Sequence, residues 1–160
     1  MADFSDLPLA MRLPLAVYPW RRVDPVPWVP GSKPLTHARV ALITSAALYR
    51  PGIDAPFEEV RGGDSSMRWL PDDVVPHTLA VGHPSHAFDR TPVDRDRNIA
   101  FPLDRLHEMV AQCVVGSAAS RHVSFNGSMT APGRFLRHTA PGIAAGLIQD
   151  RVDTAILVPI

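Results

Sequence analysis

The stretch that decides the fold is Arg39-Val40-Ala41-Leu42-Ile43-Thr44-Ser45. Its apolar run, with β-branched side chains, is typical of a central strand inside a sheet. A second apolar run, Asp153-Thr154-Ala155-Ile156-Leu157-Val158-Pro159-Ile160, predicts another buried strand. Between these runs the pattern predicts further strands and helices in alternation, at residues 77–81, 102–115, 122–125 and 134–151. Strands that alternate with helices indicate an α/β fold, and we predict a three-layer sandwich with a mainly parallel sheet.

An arm rich in proline and tryptophan is predicted for residues 1–38, before an α/β domain at residues 39–160. Seven of the 17 prolines lie within the first 34 residues. Proline fixes φ and lacks an N–H, so residues 25–34 cannot form a regular helix or a central strand. The arm also holds Trp20 and Trp28, and it is too apolar for a solvated linker. We therefore expect it to be extended and to pack on the domain or on a partner.

The composition excludes several classes of protein. The 160 residues carry 16 acidic and 16 basic side chains, so nothing indicates a nucleic-acid-binding surface. No apolar run reaches the roughly 18 residues that a membrane span needs. The single cysteine, Cys113, permits no internal disulfide, which indicates a reducing compartment, and we predict a cytoplasmic protein. Its place on the apolar stripe of the helix predicted at residues 102–115 indicates a buried, structural thiol.

The histidines are the first candidates for chemistry. His77, His83 and His86 lie close together in the sequence. Their spacing matches no zinc motif, and Pro84 makes a shared helical face implausible for the last two, so no metal site is predicted. His83 follows the carboxyl end of a predicted strand, where an acid/base or substrate-binding group is expected. No glycine-rich phosphate loop is present, so no cofactor is predicted either.

A second polar cluster lies at residues 120–127, beside a predicted strand end. Arg121, His122, Ser124 and Asn126 bring a guanidinium, an imidazole, a hydroxyl and an amide into one short stretch. Together these groups could bind a carboxylate or another anion. A polar turn that caps the next helix explains the same residues equally well, and the pattern alone leaves both interpretations open.

Five stretches together resemble the selenoprotein B family of bacterial glycine, sarcosine and betaine reductases, with its D-proline reductase relatives. They are YPWRRVDPVPW (residues 18–28), RVALIT (39–44), GDSSMR (63–68), DRNIAFPLDRL (96–106) and RHVSFNG (121–127). Their order and spacing make the resemblance specific, and it covers most of residues 18–160.

The resemblance implies a reductase that uses a selenol or thiol to cleave a C–N bond of a small amine or amino acid. In this family a strand like residues 153–160 is followed at once by a catalytic selenocysteine or cysteine, in a U-x-x-C or C-x-x-C arrangement. Selenocysteine is encoded by UGA, which is normally a stop codon. We therefore expect these 160 residues to be the truncated first part of a longer selenoprotein, inactive without the nucleophile that follows Ile160.

On this model the nucleophile lies at a rim formed by the strand ends near residues 44–45 and 82–83. The substrate-binding residues are expected to be Thr44, Ser45, Arg121, Ser124 and Asn126. Arg121 is expected to hold a substrate carboxylate, and His83 or His122 to assist proton transfer.

The expected partners are a small amine or amino-acid substrate and a thiol reductant protein or second subunit, with a homo-oligomer left open. Neither nucleic acid nor a membrane is expected as a partner. The alternative interpretation is a non-catalytic α/β module that binds a small molecule or a subunit, with the apolar arm docking the subunit. A flavodoxin-like flavin protein is a weaker interpretation, because no phosphate loop follows the first strand.

Overall fold

The computed structural model describes residues 4–17, 22–31, 33–85 and 88–160. It divides the chain into two compact units, residues 1–30 and residues 31–160. The predictions that involve Tyr18, Trp20 and His86 fall outside the described residues. Within the described residues, no helix is both long enough and apolar enough to cross a bilayer.

The described part of the first unit contains a short helix and, from residue 22 onward, chain without regular structure. A 3₁₀ turn at Phe4–Asp6 precedes α1, which spans Leu9–Val17 and has no buried residue. Residues 22–30 form neither helix nor strand, and their prolines remove backbone donors. Trp28 and Val29 are each 86% exposed. That this arm packs on the domain or on a partner stays a prediction.

The described part of the second unit contains seven strands and three helices. In chain order they are β1 (Arg39–Thr44), β2 (Leu48–Tyr49), β3 (Met67–Pro71), β4 (Ala80–Val81), α2 (Thr91–Arg95), α3 (Leu103–Ala111), β5 (Ser117–Ala118), β6 (Arg121–Phe125), α4 (Ala140–Gln149) and β7 (Thr154–Val158). Short 3₁₀ turns lie at Leu35–His37, Pro76–Thr78 and Arg97–Ile99, and a π-helical segment, Phe135–Thr139, leads into α4.

β1 is the central strand of a five-stranded sheet, and its residues Val40, Ala41 and Leu42 are completely buried. β7 runs parallel to one edge of β1 over residues 40–44. β5 and β6 therefore pair with the other edge, also in parallel, and β3 runs antiparallel to β6. The central strand predicted from residues 39–45 is confirmed.

Helices cover both faces of this sheet. Val40 and Leu42 point to one face, where they pack in a core with Leu103 of α3. Successive residues of a strand point to opposite faces. Ala41 accordingly packs in a second core with Ile143 of α4. These two cores confirm the predicted α/β fold with a mostly parallel sheet.

Residues 77–81 do not form the predicted strand of the main sheet. Pro76 begins a 3₁₀ turn, since its fixed φ suits a first helical position and it has no N–H to give to a sheet. Only β4 is extended, and it pairs antiparallel with β2 in a separate two-stranded sheet. His83 therefore follows the carboxyl end of β4, a strand that lies outside the main sheet.

Two predictions of burial are also wrong. The helix predicted at residues 102–115 ends at Ala111, and Cys113 lies beyond it with φ at 58° and an exposed side chain. The thiol thus leaves the apolar stripe that would have buried it. β7 is an edge strand rather than a buried one, and its Ile156 and Leu157 are 42% and 70% exposed.

Candidate functional site

The carboxyl ends of β1, β6 and β7 meet at one edge of the sheet, because the three strands run parallel. We term this region the carboxyl edge. It comprises Thr44, Ser45, Ser124, Asn126 and Ile160, which lie at or just after these strand ends. In open α/β sheets such an edge is where ligands bind. The carboxyl edge is therefore the candidate functional site.

Ser45 joins the end of β1 to the end of β7. Its N–H donates to the carbonyl of Val158 at 3.2 Å. Its Oγ accepts from the N–H of Ile160 at 2.8 Å and lies 3.3 Å from the carbonyl of the same residue, to which it donates. Gly127 packs so closely here that a Cβ on it would lie 2.9 Å from the Cβ of Ser45. Ser45 thus fixes the main chain of Ile160 at the carboxyl edge.

The hydroxyls of Thr44 and Ser124 are buried at the same edge. Thr44 Oγ1 accepts from the N–H of Ala46 at 3.2 Å. Ser124 Oγ accepts from the N–H of Leu48 at 2.6 Å. Each oxygen secures the backbone that leaves β1.

Asn126 carries a donor without an acceptor. Its side chain is completely buried, and its Oδ1 accepts from the N–H of Ser128 at 2.9 Å, which orients the amide. Among the described residues Nδ2 has no hydrogen-bond partner. A buried N–H without an acceptor costs about 1–3 kcal/mol. An acceptor atom on a bound ligand would remove that cost.

His83 reaches this region through the backbone. The N–H of Gly82 donates to the carbonyl of Ala47 at 2.8 Å, and the neighbouring Ala46 forms a β-bridge with Asn126. The strand prediction for residues 77–81 is wrong, but the expected proximity of residues 82–83 to the end of β1 is present.

The imidazole of His83 is buried and neutral. Burial lowers its pKa, and the charge of Arg90 lowers the pKa further. The ring packs edge-on against Phe88, with 4.9 Å between ring centroids. The N–H of Ser85 lies 3.4 Å from Nδ1, while Nε2 has no partner within the described part of the chain. His83 and Asn126 thus each present an unused polar atom.

Arg121 does not belong to this group. It begins β6, whose length of five residues places it roughly 13 Å from the carboxyl edge. Its Nε donates to Oδ2 of Asp150 at 2.6 Å, and its guanidinium lies 4.0 Å from the centre of the Trp69 ring. The expectation that Arg121 shares a pocket with His83 is therefore not met, because the direction of β6 separates the two residues.

His122 is also occupied by the framework. Its side chain is completely buried, its Nδ1 accepts from the N–H of Leu42 at 3.0 Å, and its Nε2 lies 3.0 Å from Oδ1 of Asp72. Because Nδ1 is an acceptor, Nε2 carries the proton and donates it to Asp72. Both nitrogens are engaged, so His122 is not placed to exchange a proton with a substrate.

Asp72 is a residue that the sequence analysis does not single out. Its Oδ1 also contacts Nε2 of His107 at 2.8 Å, so one carboxylate joins a partly exposed histidine to a buried one. Its only sequence signal is its position in the turn after β3. Within the described ranges, no three His, Cys, Asp or Glu side chains converge to hold a metal ion.

Comparison with known proteins gives relatives of one kind. The chain is 29% identical over 153 residues to D-proline reductase subunit gamma of Acetoanaerobium sticklandii, covering 96% of this chain and 61% of the relative. It is 25% identical over 143 residues to sarcosine reductase complex component B subunit beta of Peptoclostridium acidaminophilum, covering 88% of this chain and 32% of the relative. Glycine reductase complex component B subunit gamma of Symbiobacterium thermophilum is 28% identical over 142 residues, with 88% and 32% covered.

The chain thus spans 61% of the first relative and about a third of the other two. No family model matches it, and no solved structure does. The resemblance predicted from the sequence is nevertheless confirmed: its curated relatives are subunits of D-proline, sarcosine and glycine reductases, consistent with the selenoprotein B-like reductase family.

Proposed function

We propose that this chain is the scaffold part of a selenol- or thiol-dependent reductase that cleaves a C–N bond of a small amine or amino acid. The observation that carries the proposal is the similarity to a D-proline reductase subunit over 96% of the chain. The polar groups at the carboxyl edge support it, since the side-chain N–H of Asn126 there has no acceptor among the described residues. His83 follows Gly82, whose N–H is bonded to Ala47 just after β1, and its Nε2 has no partner within the described residues either.

The redox nucleophile of this proposal follows Ile160 in a longer, selenocysteine- or cysteine-containing protein. The two contacts between Ser45 and the main chain of Ile160 support this position, because they would deliver the next side chain to the carboxyl edge. There the selenolate or thiolate attacks the carbon, the C–N electron pair leaves with the nitrogen, and the nitrogen takes up a proton. A second thiolate then attacks the selenium or sulfur, the electron pair of its bond to carbon leaves with the carbon, which takes up a proton, and the dithiol reductant reduces the resulting selenenylsulfide or disulfide.

His83 is the residue we propose for proton transfer. Because Nδ1 accepts from the N–H of Ser85, Nε2 of the neutral ring carries the proton and can donate it to the departing nitrogen. Asn126 is proposed to bind the substrate carboxylate in the place expected for Arg121, with the hydroxyl protons of Thr44 and Ser124 as further donors.

The test begins by reading the gene beyond codon 160 and expressing the extended protein. Cleavage of the C–N bond is then measured with a dithiol as reductant, as ring opening of D-proline and as amine release from sarcosine, glycine and betaine. Replacing the residue after Ile160 by serine is expected to abolish turnover. His83→Gln is expected to lower kcat by about 100-fold or more. His77→Gln is the matched control, since His77 is exposed and lies outside the carboxyl edge.

Two results would contradict this proposal. One is reductive turnover by residues 1–160 alone. The other is a UAA or UAG codon directly after codon 160, or a UGA codon there with no open reading frame behind it. Asn126→Ala supplies an independent measure, since loss of a carboxylate donor is expected to raise KM by roughly tenfold.

A second candidate function, a module that docks another subunit, rests on the exposed arm. Trp28 and Val29 are each 86% exposed, and the relatives are subunits of reductase complexes. To test this candidate, the chain is co-expressed with another subunit of the reductase complex. Binding is shown if the two proteins co-purify at a fixed stoichiometry. The double variant Trp28→Ser, Val29→Ser is expected to lose the partner, whereas Val60→Ser, an exposed change in the second unit, retains it. Equal binding by both variants would remove the arm from the interface.

A further inference from the structure

The GDSSMR stretch, residues 63–68, lines a polar cleft that the proposed reductase site does not use. The cleft has a volume of about 650 Å³. One wall is the loop at residues 55–68, and the opposite wall is the helical segment that carries Arg134, His138 and Thr139. Four residues of the stretch line it, namely Asp64, Ser65, Ser66 and Arg68.

The loop wall is held in place by its own charged residues. Asp64 accepts from the N–H of Glu58 at 2.9 Å and from the N–H of Ser66 at 2.7 Å. Arg68 donates to the carbonyls of Ala55 and Pro56 at 2.8 and 3.0 Å. The Arg68 bonds tie the start of the loop to β3 and the Asp64 bonds hold the loop together, so the wall is formed before any ligand arrives.

The two walls are also joined to each other. Thr139 Oγ1 donates to the carbonyl of Ser65 at 2.6 Å, which fixes the helical wall against the loop. Gly63 turns the chain here with φ at 93°, and a Cβ on it would lie 2.6 Å from the carbonyl oxygen of Ser128. Only glycine fits that turn, which brings the start of the stretch against Ser128 and Met129.

The side chains on the two walls differ in whether they already have a partner of opposite charge or a hydrogen bond. Arg134 and His138 lie one helical turn apart on the same wall, and the ion pairs of the described residues involve neither side chain. The carboxylate of Asp64, in contrast, is bound by two backbone N–H groups. Glu58 leaves a carboxylate on the loop wall, which would face any cationic part of a ligand.

We propose that this cleft binds an anionic group, a carboxylate or a phosphate, between Arg134 and His138. Arg134 supplies a forked pair of donors that matches either group. The imidazole of His138 can donate from a ring N–H in either protonation state. Ser65 adds a hydroxyl from the facing wall. The loop is already formed, so binding an anion has to order the side chains that meet it but not the main chain.

Titration of the 160-residue chain with sodium acetate and, separately, inorganic phosphate tests the proposal. Chemical shifts of the amides of Ser65, Ser66 and Thr139 report binding at the cleft. One of the two anions is expected to saturate with a Kd below about 10 mM, and the one that binds tighter identifies the group. Arg134→Gln is expected to weaken that binding by roughly tenfold or more.

Arg137→Gln is the matched control, because it removes the same charge from the same helical segment without lining the cleft. It is expected to leave the affinity within about twofold of the parent chain. The proposal is overturned if neither anion binds, if Arg134→Gln binds as the parent does, or if both arginine variants weaken binding equally. Unchanged amide shifts elsewhere in each variant establish that the fold is intact.

Discussion

At the scale of single residues, a ring nitrogen of His122 accepts a backbone hydrogen bond that a strand carbonyl would otherwise accept. Val40 of β1 pairs with Ala118 of β5, and Ile43 of β1 pairs with Val123 of β6. The two positions are three residues apart in β1 but five residues apart between β5 and β6. Two extra residues therefore interrupt the ladder between β5 and β6. The N–H of Leu42 faces this interruption and donates to Nδ1 of His122 instead.

The protonation of His122 should therefore be linked to stability. Burial lowers its pKa, with Asp72 raising it in part and the charge of His107 lowering it. Because the unfolded chain then binds the proton more readily, the free energy of unfolding is retained above the ordinary histidine pKa and falls as pH drops below about 6.5. The expected contribution is up to about 1.4 kcal/mol per pH unit.

In the variant His122→Gln, the free energy of unfolding is expected to fall less steeply as pH drops, because the contribution of His122 is removed. The contribution of His83, whose pKa is also lowered, remains. Urea unfolding between pH 5 and 8 measures the difference (roughly the histidine range). His77→Gln, at an exposed position, serves as the control and should keep the parent slope. A variant at position 122 with the full parent slope would show that His122 is not the titrating group.

Cys113 offers a second test on a single side chain. Because it follows the end of α3 and is exposed, its thiol should react with a disulfide reagent such as DTNB in the folded protein. One equivalent of thiolate is expected without denaturant, measured at neutral pH by absorbance. A thiol that reacts only in urea would instead support the buried position that the helical stripe predicts.

The candidate site is predictable from the sequence only in part, for a local reason. The polarity of residues 120–127 is visible in the sequence, and so is the proximity of Ser45 to a strand end. What decides between Asn126 and Arg121 is which end of β6 each occupies and what faces it. Arg121 is bound by Asp150, which lies 29 residues away in the chain, and no local pattern reveals such a pair.

Among the elements, α4 carries two glycines with opposite surroundings. A Cβ at Gly146 would lie 2.5 Å from Cζ2 of Trp69, whereas a Cβ at Gly142 would meet nothing within 4 Å. Trp69 cannot retreat freely, because the Arg121 guanidinium lies over its ring at 4.0 Å. The helix therefore needs glycine at one position for packing and at the other position tolerates a side chain.

Gly146→Ala is accordingly expected to lower the free energy of unfolding by about 1–3 kcal/mol, because the added methyl group overpacks the contact with Trp69. Gly142→Ala is expected to raise it by up to about 1 kcal/mol, since alanine favours the helix and has room there. Urea unfolding of both variants measures the two effects. Equal and stabilising effects would mean that helix propensity alone governs α4 and that Trp69 does not pack as described.

The strands differ in how well their sequence predicts them. β1 is buried on both faces, so its apolar run carries the signal directly. Residues 77–81 contain similar side chains, but Pro76 starts a 3₁₀ turn and leaves only β4 extended. The prediction that residues 154–158 form a strand is correct, but the prediction that this strand is buried is wrong. An apolar composition does not reveal whether a strand has a neighbouring strand on both sides, and β7 has one on one side only.

At the scale of the whole molecule, the sheet ends in an uncharged edge. Leu157 is 70% exposed on β7, and two apolar clefts of about 280 and 240 Å³ lie beside it, both lined by Ile43 and Phe125. Soluble proteins usually protect such edges with charge, proline or a bulge, and an unprotected edge pairs with other chains. The free edge of β7 is thus a surface through which the second unit can self-associate.

Leu157→Lys should therefore reduce self-association of the 160-residue chain. A charge on the edge opposes pairing with a second copy, and a side chain this exposed should change the free energy of unfolding by no more than about 0.5 kcal/mol. Sedimentation velocity over a range of protein concentrations measures the association. Leu136→Lys, which adds the same charge at a 48% exposed position outside the sheet, is expected to associate as the parent does. If the parent chain stays monomeric throughout, or if both lysine variants behave alike, then the edge of β7 does not drive self-association.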